Sequence, residues 1–298
     1  LIAKNPHFFE QRVGDLLIIH ISEKQMSHFL QLTNQVIKQL TMPLFYLLFS
    51  ATFLLPSANA QEGEWIDLFN GENLDNWLIK FTGQELGINF RDTFQVEDGL
   101  LTVSYDNWDN FNGEFGHLFY DQVFSHYLLR VEYRFIGEQV TNGPAWAYRN
   151  NGLMLHSQDP RTMTVSQEFP ASIESQLLGG NGRDDRTNLN VCTPGTNMMM
   201  AGKLILQHCT NSNSDTFHGD QWVTVEIEVR GSETLIHRVN GDQVFELTDI
   251  QLDDRDADAQ ALLEKGAPLI LKEGYVALQA ESHPTQFRKI ELLQLRSN

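Results

Sequence analysis

Two short alternating runs hold the residues best suited to chemistry. Residues 146–157 read Trp146-Ala-Tyr-Arg149-Asn150-Asn151-Gly-Leu-Met-Leu-His156-Ser, and residues 171–177 read Ala-Ser-Ile-Glu174-Ser-Gln176-Leu. Successive side chains of a strand point to opposite faces. Leu153 and Leu155 therefore share one face and Met154 and His156 the other, while Ile173, Ser175 and Leu177 oppose Glu174 and Gln176. As sheet neighbours, the two runs would set His156, Glu174 and Gln176 on one polar face. A carboxylate or an imidazole there is a candidate general base, and an amide can donate to developing negative charge. Ordinary polar residues on a solvated sheet face are the alternative. Gln279 and Glu281 carry the same parity in a late strand, opposite Leu278 and Ala280.

Other residues are candidates for holding a ligand. Arg149 stands at the entrance of the first run as a clamp, next to Asn150 and Asn151. Trp146, with Tyr148, offers a stacking platform, and Trp108, in the polar aromatic loop 105–114, fits a platform or the anchor of an ordinary surface loop equally well. Arg288 alternates with Phe287 and fits a salt bridge or a substrate contact equally well. His237 shares its face with Leu235 and Val239, which predicts a hydrogen-bonded core histidine. A divalent cation on His156, Glu174 and Gln176 would have a mixed nitrogen and oxygen set, and the sequence leaves that cofactor open. The Asp-rich stretch 252–265 lacks the central Gly and terminal Glu of a calcium-binding EF-hand loop. It reads instead as a helix whose acidic start faces the positive end of the dipole.

The elements that must position these residues are mostly strands. Period-two alternation recurs from residue 65 onward and predicts an all-β, largely antiparallel domain. In residues 126–135 Leu129, Val131, Tyr133 and Phe135 alternate with Arg130, Glu132 and Arg134, so one face is core and the other wet. Residues 222–230 alternate likewise, Asp98-Gly99 marks a hairpin, and Asn240-Gly241 turns another. Residues 179–213, rich in Gly, Asn, Asp and Thr, read as long connections. Cys192 and Cys209 lie within them and are expected to form a disulfide worth ~3 kcal/mol in the chain-entropy model.

The chain starts with Leu, so residues 1–25 are expected to be sequence upstream of a start at Met26. Residues 26–60 read as a signal peptide region: Lys38, an apolar run over 42–55, and Ala58-Asn59-Ala60 for cleavage. That run is too short to span a bilayer, so no stable membrane insertion is expected after cleavage. An exported chain, periplasmic or secreted, with one domain over residues 61–298 follows. With 21 Lys and Arg against 39 Asp and Glu, the net charge is −18. That field excludes nucleic acid, whose binding depends on cationic side chains displacing counterions. A neutral saccharide or glycoside is compatible with it.

Five segments, in order, resemble the 3-keto-disaccharide hydrolase family. They are residues 65–77 (Trp-Ile-Asp-Leu-Phe-Asn-Gly, then Leu and Trp), 94–100, Asn150-Asn151-Gly152-Leu153, Ile173-Glu174-Ser175-Gln176-Leu177, and 274–281 with Phe287-Arg288-Lys289-Ile290. Asn151 stands where the family has Ser, and Lys289 where it has Asn. The resemblance implies a concanavalin-like jelly-roll β-sandwich of two curved antiparallel sheets. It also implies cleavage of 3-keto-glycosides by base-promoted elimination and hydration, with Glu174 or His156 as the catalytic base and Gln176, Arg149 or a divalent cation stabilising the enolate. Conventional glycosidases need two carboxyl groups flanking the bond, and residues 173–179 supply one. A non-catalytic carbohydrate-binding module on the same jelly roll is the alternative, since fold does not fix function.

Overall fold

In the computed structural model residues 63–297 are described, all within the unit Gln61–Asn298. The expected upstream segment and signal region lie outside the described residues. The strands in chain order are β1 (Trp65–Asp67), β2 (Trp77–Phe81), β3 (Phe94–Glu97), β4 (Leu100–Val103), β5 (Gly116–Phe124), β6 (His126–Phe135), β7 (Asn150–Ser157) and β8 (Ile173–Leu178). They continue as β9 (Asn190–Cys192), β10 (Thr196–Met200), β11 (Lys203–Ile205), β12 (Cys209–Thr210), β13 (Val223–Arg230), β14 (Thr234–Val239) and β15 (Asp242–Leu252). The helix α1 (Ala257–Glu264) precedes β16 (Gly274–Ala280) and β17 (Thr285–Gln294).

These strands make a jelly-roll sandwich of two antiparallel sheets. The ten-stranded sheet runs β11-β10-β15-β14-β13-β6-β17-β4-β3, with β1 paired to β17. The seven-stranded sheet runs β12-β9-β8-β7-β16-β5-β2. Alternation decides what lies between them. Leu129, Val131, Val225 and Ile227 of the large sheet and Leu118, Leu153, Leu155 and Leu278 of the small one are fully buried in one core. Each such side chain contributes ~1.5–3 kcal/mol on leaving water.

His237 is the expected core histidine. Its Nε2 pairs with Ser175 Oγ at 2.7 Å and its Nδ1 with the Leu189 carbonyl at 3.0 Å. The far face of the large sheet is wet and ion-paired. Arg130 reaches Glu226 at 2.8 Å and Glu291 at 2.7 Å.

Two expectations are corrected here. Residues 179–213 are not only connections, because they contain β9 to β12. These strands are two to five residues long at sheet edges and owe their conformation to pairing with β8 and β15. Such short pieces carry no alternating apolar pattern of their own. The helix is shorter than residues 252–265, since β15 runs through Leu252 and the helix starts at Ala257. Its N-cap is Asp256, which accepts hydrogen bonds from the Asp258 and Ala259 amides, the usual job of an Asp before a first turn. The disulfide between Cys192 and Cys209 forms as expected and joins directly opposed residues of β9 and β12.

Candidate active site

The register of the small sheet lays two rows of side chains across its outer face. One runs from Lys80 through His117, Gln279 and Gly152 to Gln176. The other runs from Leu78 through Phe119, Ala277, Met154 and Glu174 to the disulfide. Phe119, Met154 and Ala277 are covered by Met163, from the connection between β7 and β8. The remaining part of the face opens into a cavity of about 340 Å³. Glu174, Gln176, Asn150, Glu281, Trp146 and Phe169 are among its walls.

A glycine makes room for the central contact. A Cβ on Gly152 would lie 2.3 Å from Gln279 Oε1 and 2.6 Å from Glu174 Oε1, so these two side chains converge above its Cα. Both are buried. Glu174 Oε1, Glu281 Oε2, Asn150 Oδ1 and both amide atoms of Gln279 have no hydrogen-bond partner within the protein. His117, next to Gln279 in the row, has neither ring nitrogen paired. Buried polar atoms are nearly always satisfied, and each orphan costs ~1–3 kcal/mol. So dense a group of them on one face is the signature of a surface built to meet a polar ligand.

Burial also sets the protonation states. It pushes the Glu174 carboxyl up from 4.5 to about 8. Glu281 is raised well above the usual carboxylate range, by burial first and by the charge of Glu174 second, with Arg186 opposing. Two carboxyls that repel each other in a dry site do not ionise together. The His117 imidazole is pushed down to about 3, by burial and then by Lys80, and is neutral at physiological pH. Arg186 is held in place by backbone carbonyls. It donates to Trp146 O at 2.9 Å and to Gly179 O at 3.0 Å, and also to Tyr148 O.

The structure therefore brings together Glu174, Gln176, Gln279, Glu281, Asn150 and Trp146, and separates the others. His156 does not share their face. Two residues of β7, Leu155 and His156, oppose the single Val276 of β16, and His156 takes up the extra place with φ 46°. This β-bulge breaks the parity and turns the ring to the Gly231 carbonyl, 2.8 Å from Nε2. The cation set of His156, Glu174 and Gln176 consequently does not assemble.

Asn151 is an internal fastener rather than a ligand contact. Its Nδ2 donates to Gln279 O at 2.8 Å, and its Oδ1 accepts from Gly152 N at 2.9 Å. Arg149 donates to Gly219 O at 2.5 Å and pairs with Asp220 at 3.0 Å. Arg288 pairs with Glu132 at 2.5 Å on the wet face of the other sheet and lies over Trp222. Trp108 is buried among Phe90, Tyr105 and Phe111, with Nε1 bonded to Thr93 Oγ1 at 3.0 Å.

His117, Arg186 and Phe169 were not singled out by sequence. His117 gives little signal, since Leu118, Phe119 and Tyr120 after it do not alternate with polar residues. Among the described residues, Cys192, His208 and Cys209 are grouped at metal-ligand spacing. Their sulfurs are joined to each other, which removes the thiolates a metal would need.

Comparison with known proteins adds a family. Residues 64–293 match the model of the 3-keto-alpha-glucoside-1,2-lyase-like domain. No curated protein matches the chain. Among solved structures, a Bacillus subtilis protein of unknown function with a galectin-like fold is similar at TM-score 0.49 and 13% identity, over 80% of this chain and 99% of that one. A candidate glycosyl hydrolase of Parabacteroides distasonis is similar at TM-score 0.45 and 16% identity, over 79% and 100%. A Bauhinia forficata lectin in complex with GalNAc is similar at TM-score 0.41 and 10% identity, over 79% and 100%.

Proposed function

The chain belongs to the family of 3-keto-alpha-glucoside-1,2-lyase-like domains, and from that premise we propose that it cleaves 3-keto-glycosides by elimination followed by hydration. The observation that carries the reading is the pair Glu174 and Glu281, each with an unpartnered oxygen, in the wall of one cavity, with the unpartnered Gln279 amide beside Glu174 over Gly152. A ketone at C3 acidifies the proton on C2. Glu174, ionised, removes that proton as general base. The electron pair passes into the enolate, whose oxygen receives a hydrogen bond from the unpaired Gln279 amide.

The enolate then expels the aglycone oxygen from C1, leaving a C1–C2 double bond conjugated to the ketone. Glu281, which burial and its neighbour keep protonated, supplies the proton that the leaving oxygen needs. Water adds at C1 and a proton returns to C2, so the net change is hydrolysis. The pair of carboxyls works because its environment favours one proton more than two free acids would hold. Export to the periplasm or the medium fits the disulfide.

A carbohydrate-binding module is the second reading, and the exposed ring of Trp146 on the cavity wall favours it. Incubation with a 3-keto-glucoside and with the intact glucoside, followed by mass spectrometry, separates the two. Release of aglycone from the keto form alone, lost in Glu174→Gln, supports the elimination. Cleavage of the intact glucoside would replace it with ordinary hydrolysis, and binding of both without turnover would leave the module.

A further inference from the structure

The reacting cavity has neighbours on both sides. A hollow of about 570 Å³ shares Phe169, Pro194 and His208 with it. Another, of about 640 Å³, shares Trp146, Gln176 and Cys209. Strand direction fixes where each lies. The first is lined by Ala171, just before β8, and by Thr193 to Asn197, just after the end of β9. The second is lined by Leu178, at the end of β8, and by Asn190, at the start of β9. Because β8 and β9 are antiparallel, the two hollows sit at opposite ends of these strands, with Glu174 between them. At ~3.3 Å per residue the path from Ala171 to Leu178 is ~23 Å long, several times the width of one pyranose ring.

We infer that the three spaces form one cleft along β8, and that it takes an extended, uncharged oligosaccharide whose oxidised sugar lies inside the chain. The inference rests on the proposed reaction for the oxidised sugar, and on geometry alone for the length. A site for small terminal 3-keto-glycosides needs one flank, for the aglycone. This cleft has a second flank on the side away from the leaving group, where substituents of the oxidised ring would extend.

Its walls suit hydroxyl groups. Ser166, Gln167 and Asn197 line one flank, and Thr187, Asn190 and Asn211 the other. Glu168, Asp256 and Asp258 on one side set a negative field that disfavours uronic acid units, and on the other Asp184 and Asp185 outnumber Arg186. Trp146 stands between the centre and the second flank, half exposed and stacked at 5.8 Å on Phe115. A ring fixed in that way offers a face for a sugar at little entropic cost.

The test compares kcat/KM for a methyl 3-keto-glucoside with that for gluco-oligosaccharides carrying the keto unit at the end or inside. A gain of tenfold or more for the internally oxidised chain is expected over both the methyl glycoside and the terminally oxidised chain. Ser166→Trp and Asn211→Trp, both at exposed positions, each fill one flank. Each should reduce kcat/KM for the internal substrate at least tenfold more than for the methyl glycoside. Equal rates for all lengths in the wild type, or no selective loss in either variant, would overturn the inference.

Calorimetry with unoxidised oligosaccharides of increasing length separates this failure from that of the reaction. If no keto substrate turns over but affinity rises with length and falls in the filled variants, the cleft stands and the elimination fails. If affinity is also independent of length, both fail.

Discussion

Replacing Glu174 by Gln should stabilise the protein, and do so more at high pH than at low. In the unfolded chain this carboxyl loses its proton near 4.5, whereas in the fold it keeps it to about 8. The folded state therefore binds more protons than the unfolded state between those values. By linkage, stability contributed by this group is fully present below about 4.5 and is lost as pH rises toward 8. At ~1.4 kcal/mol per pH unit, the loss at pH 7 is about 3 kcal/mol. Gln keeps the shape of the side chain without the ionisation. Glu281, relieved of its neighbour's charge, adds to the same trend.

Urea denaturation of both proteins at pH 5, 6, 7 and 8 measures the difference, because every titrating group other than Glu281 contributes nearly equally to both, and Glu281 acts in the same direction. The expected result is curves that nearly meet at pH 5 and separate by about 3 kcal/mol at pH 7, with the Glu174→Gln variant the more stable and inactive. A separation that does not change with pH would refute the argument that burial governs this carboxyl. Stability gained where activity is lost is what a site built against its own folding energy should show.

Other outcomes follow from the same geometry. For a 3-keto-glucoside, kcat/KM should rise about tenfold per pH unit and level near 8, as the free Glu174 carboxyl ionises; a flat profile from pH 5 to 8 removes Glu174 as the base. Gly152→Ala would push a methyl into the space of Glu174 and Gln279, and a loss of ~10²-fold in kcat is expected in a protein that still folds, destabilised in urea by ~1–3 kcal/mol. Trp146→Ala removes a half-exposed ring from the cavity wall, so KM for a glycoside should rise several-fold while the thermal midpoint stays unchanged. Replacing Cys192 and Cys209 together by Ala opens a link across 17 residues, and should cost ~3 kcal/mol in urea unfolding.

Alternation read from the sequence was a sound guide wherever the strand stayed regular. It placed Glu174 and Gln176 on one face and Ile173, Ser175 and Leu177 on the other, and the structure buries Ile173 and Leu177 in the core and turns Ser175 to His237. It failed at His156 because one extra residue in β7 reverses the count, and nothing in Leu-Met-Leu-His-Ser signals a bulge. At Trp108 the sequence leaves loop anchor and stacking platform open, and the structure makes it the anchor. A polar loop disguises an aromatic anchor, since Asp and Asn neighbours can point outward while the indole packs beneath them. Arg149 looks like a ligand clamp, and Arg288 is open between ion pair and substrate contact, until their partners, Asp220 and Glu132, arrive from distant parts of the chain.

The second carboxyl shows where sequence reasoning about mechanism has its limit. A single strand, residues 173–179, offers only Glu174, and on that ground the site lacks an acid to assist the leaving group. Parity in β16 already put Glu281 on the same side as Gln279, but parity fixes a direction and not a distance. What closes the distance is strand order: β7 lies between β8 and β16, and its Gly152 leaves the gap over which Glu174 and Gln279 meet. Glu281, just past the end of β16, then joins Glu174 in the wall of the same cavity. The assignment of acid and base thus depends on a glycine and a sheet order as much as on either carboxylate. Gly152→Ala, which replaces no ionisable group, should for that reason damage the reaction much as a change to one of them does.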